Sequence, residues 1–148
     1  MSDPVRPWPV LAEGGKYHPV ETLQHLLCGH GLTVAVDGVF GPGTAAAVHD
    51  FQQRGRLPGD GVVGARTWSA LIVTVASGSA GDAVCGVQEE FQFRNLSGDP
   101  RQGVQIDGVF GPQTEDAVVD FQQALGLDID GIVGPITWRA LISGMLSF

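Results

Sequence analysis

Asp37-Gly38-Val39-Phe40-Gly41-Pro42-Gly43-Thr44 and Asp107-Gly108-Val109-Phe110-Gly111-Pro112-Gln113-Thr114 are one segment written twice, 70 residues apart. From this pair the register runs without a gap to Leu71-Ile72 and Leu141-Ile142, and about two-thirds of the paired positions are identical, which marks a duplication. Upstream the spacing falls to 64, where Val20, Leu23, Gln24 and Leu27 pair with Val84, Val87, Gln88 and Phe91. The second copy therefore carries six extra residues, placed in the polar stretch 95–103, which reads as a surface loop. Carried further back, the same spacing pairs Ala12 and Gly14 with Ala76 and Gly78. The copies thus span 10–72 and 74–142, between an N-terminal extension, 1–9, and a C-terminal tail, 143–148, which are expected to seal the ends. A unit of this size buries only about 60% of the surface its unfolded chain exposes, so the two units are expected to pack on each other.

Each copy reads as three short helices, making the expected fold all-α: two tandem three-helix-bundle repeats, closely packed. The first helix has Val20, Leu23, Leu26 and Leu27 at i, i+3, i+6 and i+7, the stripe a helix turns toward a core; its counterpart uses Val84, Val87 and Phe91. In the second helix Ala47, Val48 and Phe51 share one face, as do Ala117, Val118 and Phe121. In the third the stripe is Trp68, Leu71 and Ile72, matched by Trp138, Leu141 and Ile142.

Inside each copy a shorter repetition marks the helix entrances. Asp60, Gly61, Gly64 and Thr67 stand as Asp37, Gly38, Gly41 and Thr44 do, and in the second copy Asp130, Gly131, Gly134 and Thr137 stand as Asp107, Gly108, Gly111 and Thr114 do. The Asp-Gly step is a turn, because glycine accepts positive φ and aspartate accepts a nearby backbone N–H. The apolar residue after it is expected to plug the core, the second glycine to let the backbone turn into the helix, and the threonine to sit in the first helical turn. With Phe40, Phe51, Phe110 and Phe121, these positions are assigned to architecture.

The 148 residues are 43% hydrophobic and 16% charged, a globular composition, with a formal charge of −8 and a pI near 4.7. No broad positive surface is available for nucleic acid or an anionic membrane, and the longest apolar run is too short to span a bilayer. Residues 1–9 carry neither the basic cluster nor the apolar stretch of a secretory signal. As encoded the chain is expected in the cytoplasm; another export route, or a sequence trimmed at its start, would place it at the wall or outside the cell. Cys28 and Cys85 permit one disulfide at most, and buried free thiols in a reducing compartment are expected ahead of that bridge.

The ordered set Val-x-x-Leu-Gln, Asp-Gly-Val-Phe-Gly-Pro-x-Thr, Ala-Val, Phe-Gln-Gln, Asp-Gly-Val-Val-Gly and Thr-Trp-x-x-Leu resembles the peptidoglycan-binding domain type 1 family, and does so twice. The resemblance implies a bacterial three-helix module that holds wall-active enzymes on peptidoglycan while a separate domain cuts. Peptidoglycan or its fragments would be the ligand, glycan or stem peptide, with a separate wall hydrolase or another protein as further partner and a monomer as the expected state. Candidate ligand-binding residues are Trp68 and Trp138 as sugar platforms, Gln52, Gln53, Gln122 and Gln123 as amide contacts, and Arg66, which faces Ile136 in the second copy. For the tryptophans core packing is the favoured reading, since they share a stripe with Leu71, Ile72, Leu141 and Ile142.

No catalytic, metal or cofactor constellation emerges. His18, His25, His30 and His49 form no zinc-type pair, and Gln92 stands where the first copy has Cys28. The stretch from Gly126 to Thr137 lacks the first ligand and the terminal glutamate of a calcium loop. Glu89-Glu90 and Glu115-Asp116 read as solvated helix faces. The expectation is a non-catalytic wall-binding protein. A second reading is an intracellular or phage-like-particle scaffold that keeps the module fold and binds protein.

Overall fold

The computed structural model describes residues 5–146; the parts of the terminal extensions before Val5 and after Leu146 lie outside the described residues. Six α-helices follow in order: α1 Val20–Gly29, α2 Pro42–Arg54, α3 Ala65–Leu71, α4 Asp82–Phe93, α5 Pro112–Leu125 and α6 Pro135–Ile142, with a 3₁₀ turn at Pro100–Gln102 before α5. Pro42, Pro112 and Pro135 open their helices, where a missing N–H costs nothing. None of these helices is long and apolar enough to cross a membrane.

The stripes face inward. Val20, Leu23, Leu27, Val48, Trp68 and Leu71 in the first module, and Val84, Val87, Val118, Phe121, Trp138 and Leu141 in the second, are buried and belong to one connected apolar cluster. Truncating either tryptophan would cost on the order of 3–5 kcal/mol by the usual large-to-small penalty. A strap ahead of each first helix ties the module together by isolated antiparallel bridges. Leu11 pairs with Val63 and Lys16 with Val39; Val75 pairs with Val133 and Ala80 with Val109.

Two expectations about the helix entrances change. The residue after Asp-Gly does not plug the core: Val39, Val109 and Ile132 are exposed, and it is Phe40, Phe110, Val63 and Val133, one position on, that are buried. In the extended bridge successive side chains alternate sides, so the inward position is the next one. The second glycine is also not conformationally required. Gly41, Gly64, Gly111 and Gly134 hold negative φ, with open space where a Cβ would stand. The demand for glycine falls on Gly38, Gly61, Gly108 and Gly131, whose φ lies between +72° and +75°.

The modules pack through their first helices. α1 lies antiparallel on α4, with His18 against Glu90 at one end and Gly29 against Asp82 at the other. Residues related by the 64 spacing meet across this contact. His25 Nε2 lies 4.0 Å from Glu89 Oε1, and a Cβ on Gly86 would stand 3.7 Å from Thr22 Cγ2. The duplicated helices are thus arranged about a local pseudo-twofold, as in an isologous dimer interface.

Candidate functional site

The motif residues are consumed by the fold. In each module two glutamines reach from one helix to the entrance of the next and close the same hydrogen-bond set. Gln24 Nε2 donates to Asp37 Oδ1, the Val39 carbonyl and Thr44 Oγ1 at 2.9–3.1 Å, and its Oε1 accepts the N–H groups of Asp37 and Gly38. Gln88 does this for Asp107, Val109, Thr114 and Gly108. Gln52 does it for Asp60, Val62, Thr67 and Gly61, and Gln122 for Asp130, Ile132, Thr137 and Gly131. All four glutamines are buried, and burial without this pairing would be costly. The aspartate in each set also accepts the N–H two residues on, at 2.9–3.0 Å. That bond is the chief reason the Asp37 and Asp107 carboxyls lie below the ordinary range, the glutamine N–H being the next.

Four of the residues read from sequence as ligand contacts are therefore inside. Gln52 and Gln122 are committed to clasps, and Trp68 and Trp138 are fully buried, with Nε1 donating 2.8 Å to the Pro9 and Val73 carbonyls. None presents a face to a ligand, because each glutamine is bonded into the entrance of its module's third helix and each tryptophan is packed under the segment ahead of the first. Gln53, Gln123 and Arg66 are exposed, and none of them lines the groove described below. Cys28 and Cys85 are free thiols, half-buried rather than buried.

Sequence reasoning also misplaced Glu90, which is not on a solvated face. It is fully buried between the modules and accepts hydrogen bonds from Thr22 Oγ1 at 2.6 Å, His18 Nε2 at 2.7 Å and Arg94 Nη1 at 3.0 Å. Arg94 in turn donates to the Leu141 and Met145 carbonyls, tying α4 to the end of α6, and burial pushes its pKa down against the pull of Glu90. A signal was present: at the 64 spacing Glu90 stands where the first copy has the core residue Leu26, and Arg94 follows four residues later. An acid on a core stripe with a cation one turn away is the pattern of a buried pair.

Beside this clamp a groove of about 610 Å³ runs along the module junction. Its floor is Glu21 and Thr22 from α1 with Glu89 and Phe93 from α4, and Pro100 and Ile106, in and after the 95–103 stretch, build one wall. The Glu89 and Glu21 carboxyls hydrogen-bond each other. Burial, then this bond and the charges of Glu21 and Glu90, push the Glu89 pKa up to about 8. His25, 4.0 Å from Glu89, does not neutralise the pair, because desolvation lowers its own pKa. Among the residues lining the groove none is Lys or Arg.

Among the described residues the place related to this groove by the pseudo-twofold is narrowed, for a visible reason. On this side the His18 and Phe93 rings stack at 3.8 Å; the paired positions on the other side are Asp82 and Gly29, which close up until a Cβ on Gly29 would stand 3.5 Å from Asp82 Cβ. At the mouth of the groove Tyr17 is 82% exposed at φ +68°, a left-handed backbone, where the second copy has Gly81 at φ +120°. A tyrosine there is strained where glycine is not, by roughly 1–2 kcal/mol.

Comparison with known proteins matches both halves of the chain. The family described as "Putative peptidoglycan binding domain" matches residues 17–71 and 81–141. The zinc D-Ala-D-Ala carboxypeptidase of Streptomyces albus G is 41% identical over 113 residues, which is 74% of this chain; the chain spans only 38% of that relative's length. Among solved structures, the SleB N-terminal domain is 42% identical with a TM-score of 0.42, over 43% of this chain and 88% of that one. The endolysin of Burkholderia phage AP3 is 35% identical with a TM-score of 0.42, over 43% of this chain and 24% of that one. Matched once by each of its two copies, the chain belongs to the putative peptidoglycan binding domain family.

Proposed function

We propose that this chain is a non-catalytic binder of bacterial cell-wall peptidoglycan and that the groove at the module junction is where it engages the polymer. The observation that carries the reading is the family match in both halves. The groove is favoured over the motif surfaces because clasp glutamines and motif threonines are already spent on internal hydrogen bonds. It joins an exposed aromatic, Tyr17, to apolar walls and a few polar groups, the make-up of a site for a sugar or peptide chain. In support of a non-catalytic role, Glu21 and Glu89 bond directly to each other. Two carboxyls that hydrolyse a glycosidic bond stand about 5–9 Å apart to flank it.

Sedimentation with purified insoluble walls tests this. The chain is expected in the pellet at low and moderate salt, with the turbidity of the wall suspension unchanged. Protein left in the supernatant overturns wall binding, and clearing of the suspension by the pure chain overturns the non-catalytic reading.

A further inference from the structure

The groove is mostly apolar, yet at its floor stand two carboxyls with no cationic side chain beside them. Arg94, which follows Phe93 in the chain, is turned into Glu90 and the backbone of α6, and His18 is held by Glu90 as well. Over this acidic floor Phe93 and Ile106 are 46% and 41% exposed, and Tyr17 stands at the rim. An occupant that matches must be positive at its tip and aliphatic behind it. The chain's net charge of −8 favours the approach of such a group and disfavours an anionic one.

We propose that the groove receives a peptide side chain ending in a primary ammonium, with the ammonium on Glu21 and Glu89 and its methylene chain against Phe93, Ile106 and Tyr17. This deepens the wall-binding reading and rests on it for the source of the peptide, the amine-bearing stem of the wall polymer. The raised Glu89 pKa adds a signature. At pH 7 Glu89 holds its proton toward Glu21, and an arriving ammonium favours the charged form, so binding releases a proton to buffer. The other titratable groups near Glu89 are His25, whose buried Nε2 lies 4.0 Å away without a hydrogen bond of its own, the Cys85 thiol, and Glu90, which is bonded to His18 and Arg94.

The test titrates the full chain with acetyl-Ala-Lys-Ala-amide and with the same peptide acetylated on its ε-amine, by amide NMR and by calorimetry at pH 7. The free amine is expected to shift Tyr17, Phe93 and Ile106 and to bind about tenfold more tightly than the capped form, the factor of one charge-assisted hydrogen bond. Its enthalpy should vary with the ionisation heat of the buffer, and Glu21→Gln with Glu89→Gln should erase the difference between the peptides. Equal binding of the two peptides, shifts confined to other surfaces, or no binding at millimolar peptide overturns the proposal without recourse to a variant. Walls run in parallel separate the two readings. Retention on native and amine-acetylated walls alike sinks the ammonium site and leaves wall binding intact; peptide binding in the groove with walls left unbound does the reverse.

Discussion

The four glutamine clasps make a quantitative demand, and Gln88 is the place to test it. Its side chain is buried, with Nε2 at 2.9 Å from Asp107 Oδ1, 3.1 Å from the Val109 carbonyl and 3.2 Å from Thr114 Oγ1, while Oε1 takes the Gly108 N–H at 2.9 Å. Two amide hydrogens serve the three acceptors, so Gln88→Ala removes about three hydrogen bonds at ~1 kcal/mol each. It also leaves the buried Gly108 N–H unpaired and opens a cavity, bringing the expected loss to about 3–5 kcal/mol. Against a typical total of ~5–15 kcal/mol, that is a large fraction. Gln88→Glu separates shape from hydrogen bonding: it keeps the volume and the acceptor for Gly108 but points a second carboxylate at Asp107. It should cost nearly as much at pH 7 and recover part of the loss near pH 4–5, where the new carboxyl protonates and donates. The recovery is read relative to wild type at each pH, because Glu89 favours the folded state of both proteins as pH falls toward 4.5, whereas the Asp107 carboxyl, held low by the Val109 N–H and then by Gln88, adds stability that is lost as pH falls below its ordinary value of 3.8. Urea unfolding followed by tryptophan fluorescence reads all of this. A loss below about 1 kcal/mol for Gln88→Ala, or wild-type stability for Gln88→Glu at pH 7, would refute the clasp as a determinant of the fold.

Three further outcomes follow from the junction. At Gly86 a Cβ would find Trp138 at 3.4 Å and Thr22 at 3.7 Å, ordinary contact, so Gly86→Ala should be neutral or stabilising by up to ~1 kcal/mol, whereas Gly86→Val overpacks the helix contact and should cost about 1–3 kcal/mol in thermal unfolding. Tyr17→Gly should relieve left-handed strain and leave stability equal or higher by up to about 1 kcal/mol, while weakening retention on walls; unchanged retention would remove Tyr17 from the site. For Glu89 the folded pKa of about 8 lies above its ordinary 4.5, so the folded state holds the extra proton between those values and stability falls as pH rises across them. That shift is worth roughly 5 kcal/mol at full value, which water in the open groove and sharing with Glu21 reduce to on the order of 1–2 kcal/mol. Glu89→Gln, whose amide donates to Glu21 at any pH, should match wild type near pH 5 and exceed it at pH 9, a difference visible in Tm.

Much of the architecture is legible before any coordinates. The duplication, the six helices, the inward stripes and the helix-opening prolines depend on neighbours within a few residues, and local spacing records them directly. Of the paired amides Gln52-Gln53 and Gln122-Gln123 the sequence requires only that one of each pair reach the surface, and it is Gln53 and Gln123 that do, while Gln52 and Gln122 are buried. A glutamine on a helix looks the same whether it meets water or a turn eight residues on.

What only the tertiary structure decides is everything that depends on α1 lying on α4. That contact buries Glu90 under Thr22, His18 and Arg94, and it presses the Glu21 and Glu89 carboxyls together far from water's full dielectric. On one side the His18–Phe93 stack and the 95–103 insertion hold a groove open, while Gly29 and Asp82 close the other. Periodicity states which face of a helix leaves water. It does not state which helix receives that face, so the duplicated sequence determined two modules, and the docking of α1 on α4 determined the groove between them.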